Sequence, residues 1–283
     1  MMSETLSAKQ ARFSLLCDRE YVAAAPTGIN TYGEKRLHAL LKDFYCPDRT
    51  RQEIRLSDEY LTGDHMALTD AALRRARDRY IADILREDGH IIEIQTGGFY
   101  PLVKKLHFYL CATRCRVTVV HPIAAVKWVR WMDAQTGELT DRRRSPKRGK
   151  PTDIARELYW LLPYLAEQRF SLCLPLLEIE ETRLQDGWGK DGKRGSHRYD
   201  RTPLSLCDEV VLRCPQDYAA LFLPPPDHLI APFTAAEYGR AAGLRGKPCY
   251  SMLHMLCELG FVTPCEQKRG RAGQWERIEN AKK

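Results

Sequence analysis

The chain has 283 residues, 44% of them hydrophobic and 29% charged, a composition that excludes an intrinsically disordered protein. It holds no apolar run long enough to span a bilayer, and its amino terminus lacks the basic and apolar parts of a secretory signal. Ten cysteines without paired short spacings are typical of reduced thiols, so we expect a cytoplasmic protein that does not bind membranes.

The first predicted elements are helical. Residues 1–30 form a weakly patterned leader with one short helix near 8–16, and a clear helix then begins at Thr31. Thr31 and Glu34 have the spacing of a capping box, in which each side chain bonds the backbone of the other residue. An apolar stripe at helical spacing follows, formed by Leu37, Leu40, Leu41 and Phe44.

Strands come next along the chain. Four segments are rich in apolar and β-branched residues and are predicted as strands: 51–56, 79–86, 90–95 and 116–120. The turn Glu87-Asp88-Gly89 joins the second to the third, and Pro101 opens a helix before the fourth. The order helix, three strands, helix, strand predicts an α/β fold with a mixed sheet.

The middle of the chain is less regular. Residues 125–132 and 172–179 are strand-like, and 153–165 are predicted as a helix that Pro163 bends or ends. Residues 185–199 are rich in Gly and Lys and indicate either a mobile arm or the tip of a long hairpin.

The carboxyl-terminal segment has its own pattern. Thr234 and Glu237 form a second capping box, Pro248 opens the next helix, Gly260 ends it, and two short strands flank residues 268–273. With a proline-rich linker as a boundary, we predict four parts: a leader at 1–30, a core at 31–180, a basic arm and linker at 181–226, and a small domain at 227–283.

Basic residues cluster in three loop-like segments of a chain whose net charge is +7. The clusters lie within residues 142–150, 190–201 and 268–271. Three such clusters indicate a phosphate backbone lying across several elements, although any single one could equally be a solvated loop. We therefore predict DNA as a partner, with Arg143 and Arg144 among the candidate contacts.

The most informative residues are Asp83, Glu93 and Gln95, on two neighbouring predicted strands. Side chains alternate along a strand, so a loop with an odd number of residues places Asp83 opposite Glu93, and Glu87-Asp88-Gly89 matches a three-residue hairpin loop. Two carboxylates among apolar strands are costly unless a cation compensates them, which predicts an Mg²⁺ or Mn²⁺ site. The alternative is a pair of strand-edge acids that face water.

Asp83, nine intervening residues and Glu93-Ile94-Gln95 resemble the D…(D/E)-x-K signature of the PD-(D/E)XK nuclease superfamily. The order of elements over residues 31–120 resembles the restriction-endonuclease-like αβββαβ core of that superfamily. The resemblance implies that Asp83, Glu93 and the Ile94 carbonyl bind Mg²⁺ or Mn²⁺, and that Glu34 assists catalysis. The position of Glu34 is explained equally well by the capping box.

Gln95 stands where the superfamily usually has Lys. A glutamine can orient a water molecule or a phosphate but carries no charge to stabilise a transition state. Some members take the lysine from the following helix, where Lys104 and Lys105 are the candidates, although each could be a solvated helix residue. Metal-assisted hydrolysis of a phosphodiester bond is the activity that the resemblance implies.

The carboxyl-terminal segment resembles a winged helix-turn-helix domain, which places its second helix in the major groove and its wing on the DNA backbone. The resemblance implies seven DNA-binding residues: Arg245, Lys247, Ser251 and His254 on the helix, and Lys268, Arg269 and Arg271 in the wing. The alternative is a domain of the same fold used for protein contacts or for a homodimer. For the whole chain, the two functions that stay open are a DNA endonuclease and a DNA-binding regulator with an inactive core.

Overall fold

A mixed sheet of eight strands forms the centre of the protein in a computed structural model, which describes residues 4–19, 32–61, 75, 78–188 and 194–278. Its strands are β1 (Gln52–Arg55), β2 (Ile81–Leu85), β3 (His90–Ile94), β4 (Arg116–Val120), β5 (Ile123–Asp133), β6 (Arg143–Arg144), β7 (Phe170–Trp188) and β8 (Arg194–Leu212). The order is β1-β2-β3-β4-β7-β5-β6, with β8 paired to β7. Strands β1, β2 and β3 are antiparallel, and β4 is parallel to β3 and β7, so the α/β class and the mixed sheet are confirmed.

Helices cover both faces of this sheet, because its central strands are apolar on both faces. The described helices are α1 (Leu6–Cys17), α2 (Tyr32–Tyr45), α3 (Val103–Ala112), α4 (Pro215–Phe222), α5 (Ala235–Ala241) and α6 (Lys247–Glu258). The predicted stripe of α2 is buried, and its Leu41 and Phe44 pack with Phe13 of α1 and with Ile92 of β3. Leu106 of α3 belongs to a second apolar core on the opposite face.

Residues 151–164 correct one prediction, since they form two 3₁₀ segments, Pro151–Arg156 and Leu158–Tyr164, in place of an α-helix. The physical reason lies in Pro163, which has no N–H group and whose ring would clash with the carbonyl of residue 159 in an α-helix. Short 3₁₀ turns avoid that clash by tightening the chain, and Leu165 N bonds the Leu162 carbonyl at 3.4 Å.

Strands β7 and β8 form a long antiparallel hairpin, paired from Leu172 and Leu212 out to Trp188 and Arg194. The hairpin alternative for the basic arm is therefore confirmed, and its tip at 189–193 lies outside the described residues.

The carboxyl-terminal segment forms a three-stranded sheet of β9 (Phe233–Thr234), β10 (Val262–Arg269) and β11 (Ala272–Arg277), in the order β10-β11-β9. The second capping box is confirmed, because Thr234 N donates to Glu237 Oε2 at 2.8 Å and Glu237 N donates to Thr234 Oγ1 at 3.3 Å. Helix α6 packs on the segment 151–164, and its Met252 belongs to the same apolar core as Leu158. No helix in the described stretches combines the length and the hydropathy needed to cross a membrane.

Candidate functional site

The β2–β3 hairpin sets the positions of the two acids. Ile84 pairs with Ile92, and Arg86 N donates to the His90 carbonyl at 3.0 Å, so the loop between them has three residues. Gly89 has φ of +71°, a left-handed conformation that suits glycine at the end of such a loop. The predicted odd loop is confirmed, and its register places Asp83 opposite Glu93.

The ladder between β2 and β3 opens at the acids. In an antiparallel pair the hydrogen-bonded positions recur every second residue, so the next bond after Ile84 and Ile92 would join Ile94 N to the carbonyl of residue 82. Instead, Ile94 N donates to Asp83 Oδ2 at 2.8 Å, while Gln95 N continues the pairing with β4 by donating to the Val120 carbonyl. The Asp83 side chain therefore accepts the Ile94 N–H where a backbone carbonyl would otherwise do so.

Glu93 is the buried member of the pair, with a side chain that is 3% exposed. Lys105 Nζ lies 2.6 Å from Glu93 Oε2, and Tyr109 Oη donates to Glu93 Oε1 at 3.1 Å. Asp83 N also donates to Glu93 Oε1, at 3.4 Å. Helix α3 thus supplies both the cation and the hydroxyl that satisfy this carboxylate.

Asp83 is the more open acid, with a side chain that is 20% exposed. His38 Nε2 on α2 lies 3.4 Å from Asp83 Oδ2. The two helices on opposite faces of the sheet therefore each contribute one basic side chain to the acid pair, His38 to Asp83 and Lys105 to Glu93.

The two carboxylates have opposite pKa shifts. Burial, followed by repulsion from Asp83, raises the pKa of Glu93 to about 7, although Lys105 and Tyr109 oppose that rise. Burial also acts to raise the pKa of Asp83, but the hydrogen bond and charge of His38, with Lys105, outweigh it and hold that pKa below its usual value. Such a divergent pair is typical of functional sites.

The raised pKa of Glu93 predicts how stability depends on pH. Above about pH 4.5 the unfolded state releases the Glu93 proton, whereas the folded state keeps it until about pH 7, so the free energy of unfolding falls as pH rises through this window. We expect Glu93→Gln to lack this loss, so that the variant gains up to roughly 3 kcal/mol on the wild type across the window. Urea unfolding of both proteins in EDTA measures the difference in the free energy of unfolding. A difference that stays constant between about pH 4.5 and pH 7 would contradict the raised pKa of Glu93.

Gln95 follows β3 directly, and its uncharged amide is bonded to the next turn. Its Nε2 donates to the Gly98 carbonyl at 2.6 Å, and the backbone carbonyl of Gln95 lies 2.7 Å from His121 Nδ1. The turn at 97–99 is fixed in addition by Glu157, whose Oε2 accepts from Phe99 N at 3.1 Å. Gln95 is thus positioned by its backbone and by this turn.

The two candidate lysines of α3 have different environments in the structure. Lys104 is exposed to solvent, whereas Lys105 is 18% exposed and bonds Glu93, so the interpretation of Lys105 as a solvated helix residue is wrong. Glu34 lies on α2, but its side chain and the whole of Thr31 lie outside the described residues, so the first capping box stays a prediction.

Sequence reasoning missed two residues of the site, His38 and Tyr109. His38 is one helical turn beyond Glu34, and Tyr109 is one turn beyond Lys105, so each shares a helix face with a residue that had been singled out. This spacing of four residues is the sequence signal that could have identified both residues.

The donor set can be compared with the needs of a cation. In the part of the chain that the structure describes, no group of three or more His, Cys, Asp and Glu side chains is gathered as a metal site. The oxygen donors at hand are the Asp83 and Glu93 carboxylates with the backbone carbonyl of Ile94, a set of hard ligands that suits Mg²⁺ or Mn²⁺. Asp83 raises the pKa of Glu93 even though Lys105 opposes the rise, and a divalent cation at this pair stays a prediction.

The predicted DNA-binding residues are exposed except for Ser251, and one of the exposed residues, Arg269, is bonded within the protein. Arg245 is exposed just before α6, Lys247 and His254 are exposed on it, and Ser251 is half-buried. Lys268 and Arg271 are exposed at the β10–β11 turn, but Arg269 bonds Glu237 Oε1 at 2.6 Å and the Pro232 carbonyl at 3.1 Å. In the main sheet, β6 carries the exposed Arg143 and Arg144.

Comparisons with known proteins give a family and one relative. The family model described as a domain of unknown function (DUF8091) matches residues 64–213. A protein of Treponema pallidum (strain Nichols), described as an uncharacterized protein, is 28% identical over 243 residues, which is 86% of this chain and 85% of that protein. No solved structure matches the chain significantly.

Proposed function

The chain belongs to the family described as a domain of unknown function (DUF8091), and we propose that it is a DNA-binding protein that hydrolyses phosphodiester bonds with a divalent metal ion. The single observation that carries the proposal is the acid pair of Asp83 and Glu93, which lie opposite each other where the β2–β3 ladder opens, with Lys105 bonded to Glu93. A buried acid pair with a neighbouring cation is the arrangement expected of metal-dependent phosphate chemistry.

The order of elements around the pair supports the same proposal. Among the described residues, helix α2, the antiparallel strands β1 to β3, helix α3 and the parallel strand β4 occur in the order of an αβββαβ restriction-endonuclease-like core, with residues 78–79 before β2 also helical. The acids lie on the second and third strands, where the PD-(D/E)XK resemblance requires them. This agreement favours a nuclease-like core over a pair of strand-edge acids facing water.

Each residue of the site has a proposed role. Asp83, Glu93 and the Ile94 carbonyl would hold Mg²⁺ or Mn²⁺, which when bound supplies an acidified water and neutralises charge on the phosphate. Lys105 and Tyr109 orient Glu93 from α3, and the Lys105 ammonium adds positive charge where Gln95 adds none. Gln95 orients a water molecule or a phosphate oxygen through its amide.

The carboxyl-terminal unit supplies the proposed DNA contacts. Two helices followed by a hairpin, with β9 added to the sheet, have the order of a winged helix-turn-helix. Lys268 and Arg271 at the hairpin turn would contact phosphates, and Arg245 and Lys247 would approach the duplex from the start of α6. Met252 and Leu253 of α6 belong to the apolar core that also contains Leu158. Only the outer face of the carboxyl-terminal unit is therefore available to contact DNA.

A DNA-binding regulator is the second candidate function, and one observation favours it. Gln95 stands where the superfamily usually has a lysine. Among the described residues, Lys105 is the only cation bonded to Glu93, and this ion pair already occupies its ammonium. An inactive core held together by this ion pair would bind DNA without cutting it.

The experiment that separates the two functions is a cleavage assay with the full-length protein. Supercoiled plasmid, single strands and branched duplexes are each incubated in Mg²⁺, in Mn²⁺ and in EDTA. We expect cleavage of at least one substrate with either metal ion and none in EDTA, because the acids need a cation to act on a phosphate. Tight DNA binding with every substrate left intact in both metals would favour the regulator.

A further inference from the structure

Exposed aromatic rings are concentrated in one place on the surface. The large aromatic side chains that are exposed among the described residues are Tyr100 (64%), Tyr159 (52%), Trp160 (40%) and Tyr250 (64%). The ring centroids of Tyr100 and Trp160 are 4.7 Å apart, those of Trp160 and Tyr159 are 5.9 Å apart, and those of Tyr159 and His254 are 6.4 Å apart. We call the four rings in this row, Tyr100, Trp160, Tyr159 and His254, the aromatic platform.

The aromatic platform begins at the turn that follows β3. Tyr100 directly follows the turn at 97–99, whose Gly98 carbonyl accepts from Gln95 Nε2. On the other side of the same turn, Glu157 binds Phe99 N, and it lies only two and three residues before Tyr159 and Trp160. A ligand strand on the platform would therefore reach the turn that holds Gln95.

The aromatic platform ends on helix α6. Tyr250 lies one turn before His254, so the two exposed rings share a face of this helix. Lys247 lies one turn earlier again on that face. The row of rings thus joins the acid pair to the helix that carries the predicted DNA contacts.

The charges around the aromatic platform are complementary to a polyanion. Lys104, Arg156 and Lys247 are exposed near it, and none of the three is ion-paired within the stretches that the structure describes. Of the acids nearest along the chain, Glu157 accepts from Phe99 N, and the exposed Glu258 lies 3.9 Å from His254. Exposed aromatic rings interleaved with basic side chains are the surface on which successive unpaired bases stack.

We propose that the aromatic platform binds the unstacked bases of a single-stranded nucleic acid and leads that strand to the acid pair. Delivery of the strand to the acid pair rests on the proposed function. It deepens that function by naming single-stranded or locally unpaired nucleic acid as the class of substrate that the site takes. Stacking tolerates any base, since every base has a π-face, so the platform would contribute affinity without choosing a sequence.

Base stacking can be tested apart from charge by comparing two ligands of equal length. One is a fluorescein-labelled oligothymidylate, and the other is an abasic oligomer with the same phosphates but no bases. Binding to the full-length protein is followed by fluorescence anisotropy in EDTA at fixed salt. We expect the wild type to bind oligothymidylate about 10-fold to 100-fold more tightly than the abasic oligomer, because each stacked base adds affinity.

Variants of the aromatic platform then locate the effect. Trp160→Ala and Tyr100→Ala should each weaken oligothymidylate binding about 5-fold to 50-fold and leave abasic binding within about 2-fold. Trp160→Phe keeps a ring and should retain most of the affinity. Leu139→Ala, at an exposed residue in a turn of the main sheet, is the matched control and should change neither ligand. Thermal melts verify that each variant is folded.

The outcomes separate this proposal from the proposed nuclease function. Equal binding of both ligands by the wild type, or equal losses for both ligands in the ring variants, would overturn the platform, and the surface would then suit a protein partner. If the ring variants lose base-dependent binding while the wild type cleaves nothing, base binding by the platform stands and the nuclease function fails. If the wild type cleaves and the ring variants keep full affinity and rate, the nuclease function stands and the platform fails.

Discussion

Under the proposed nuclease function, the Asp83→Asn variant should lose metal-dependent cleavage by about three orders of magnitude or more, because it removes one of the two charged ligands proposed for the metal ion while keeping the shape of the side chain. The carbamoyl oxygen of the substituted side chain can still accept from Ile94 N, as the Asp83 carboxylate does at 2.8 Å, so the opening of the hairpin should persist. Glu93→Gln should have a similar effect on the rate. Initial rates of cleavage in Mg²⁺, on the substrate that the wild type cuts fastest, measure both losses.

Binding and a neighbouring variant provide the controls for this result. DNA affinity in EDTA should be unchanged or higher in Asp83→Asn, since one negative charge that repels phosphate is gone. Gln95→Ala should reduce the rate far less than either acid variant, by about 10-fold, because a neutral amide only positions groups. If Asp83→Asn cuts at the wild-type rate, the acid pair is not the catalytic centre.

Lys105→Met should give the largest loss of stability among single changes at the site. It removes the ammonium that lies 2.6 Å from Glu93 Oε2 and leaves a carboxylate, 3% exposed, without its cation. At about pH 6 Glu93 still holds its proton and the loss should be small, whereas by about pH 8 it should approach roughly 3 kcal/mol, because the carboxylate must then form without its cation. Urea unfolding at about pH 6 and about pH 8 measures both effects, and the cleavage rate should fall by about 100-fold or more.

Lys104→Met is the matched control, since it makes the same substitution one residue earlier on the same helix. Lys104 is exposed, so its replacement should change stability by less than about 0.5 kcal/mol and leave the pH dependence as in the wild type. Lys105→Arg keeps the charge and should recover part of the stability. Equal stability and equal pH dependence of Lys104→Met and Lys105→Met would show that the ion pair with Glu93 contributes nothing.

The register of the acids could be predicted from the sequence because it depends on local chemistry. Glu87-Asp88-Gly89 selects a three-residue loop, and strict alternation along β2 and β3 then decides which residues face each other. The order of elements was equally accessible, since apolar periodicity and capping residues are properties of short segments. The error at 151–164 arose where Pro163 and a helical apolar spacing conflict, and the proline prevailed.

The partners of the acids were decided only by the tertiary structure. Successive residues of a helix differ by about 100° in direction, so Lys104 and Lys105 can be told apart only when the packing of α3 on the sheet is known. His38 reaches Asp83 because α2 packs on the face of the sheet opposite α3. The residues next to His38 and Asp83 in the sequence give no sign that these two side chains come together. The aromatic platform joins Tyr100, Trp160 and His254 from three distant parts of the chain. The sequence by itself determined the acid pair and its register through short-range geometry, whereas the charges and rings around that pair were determined by long-range packing.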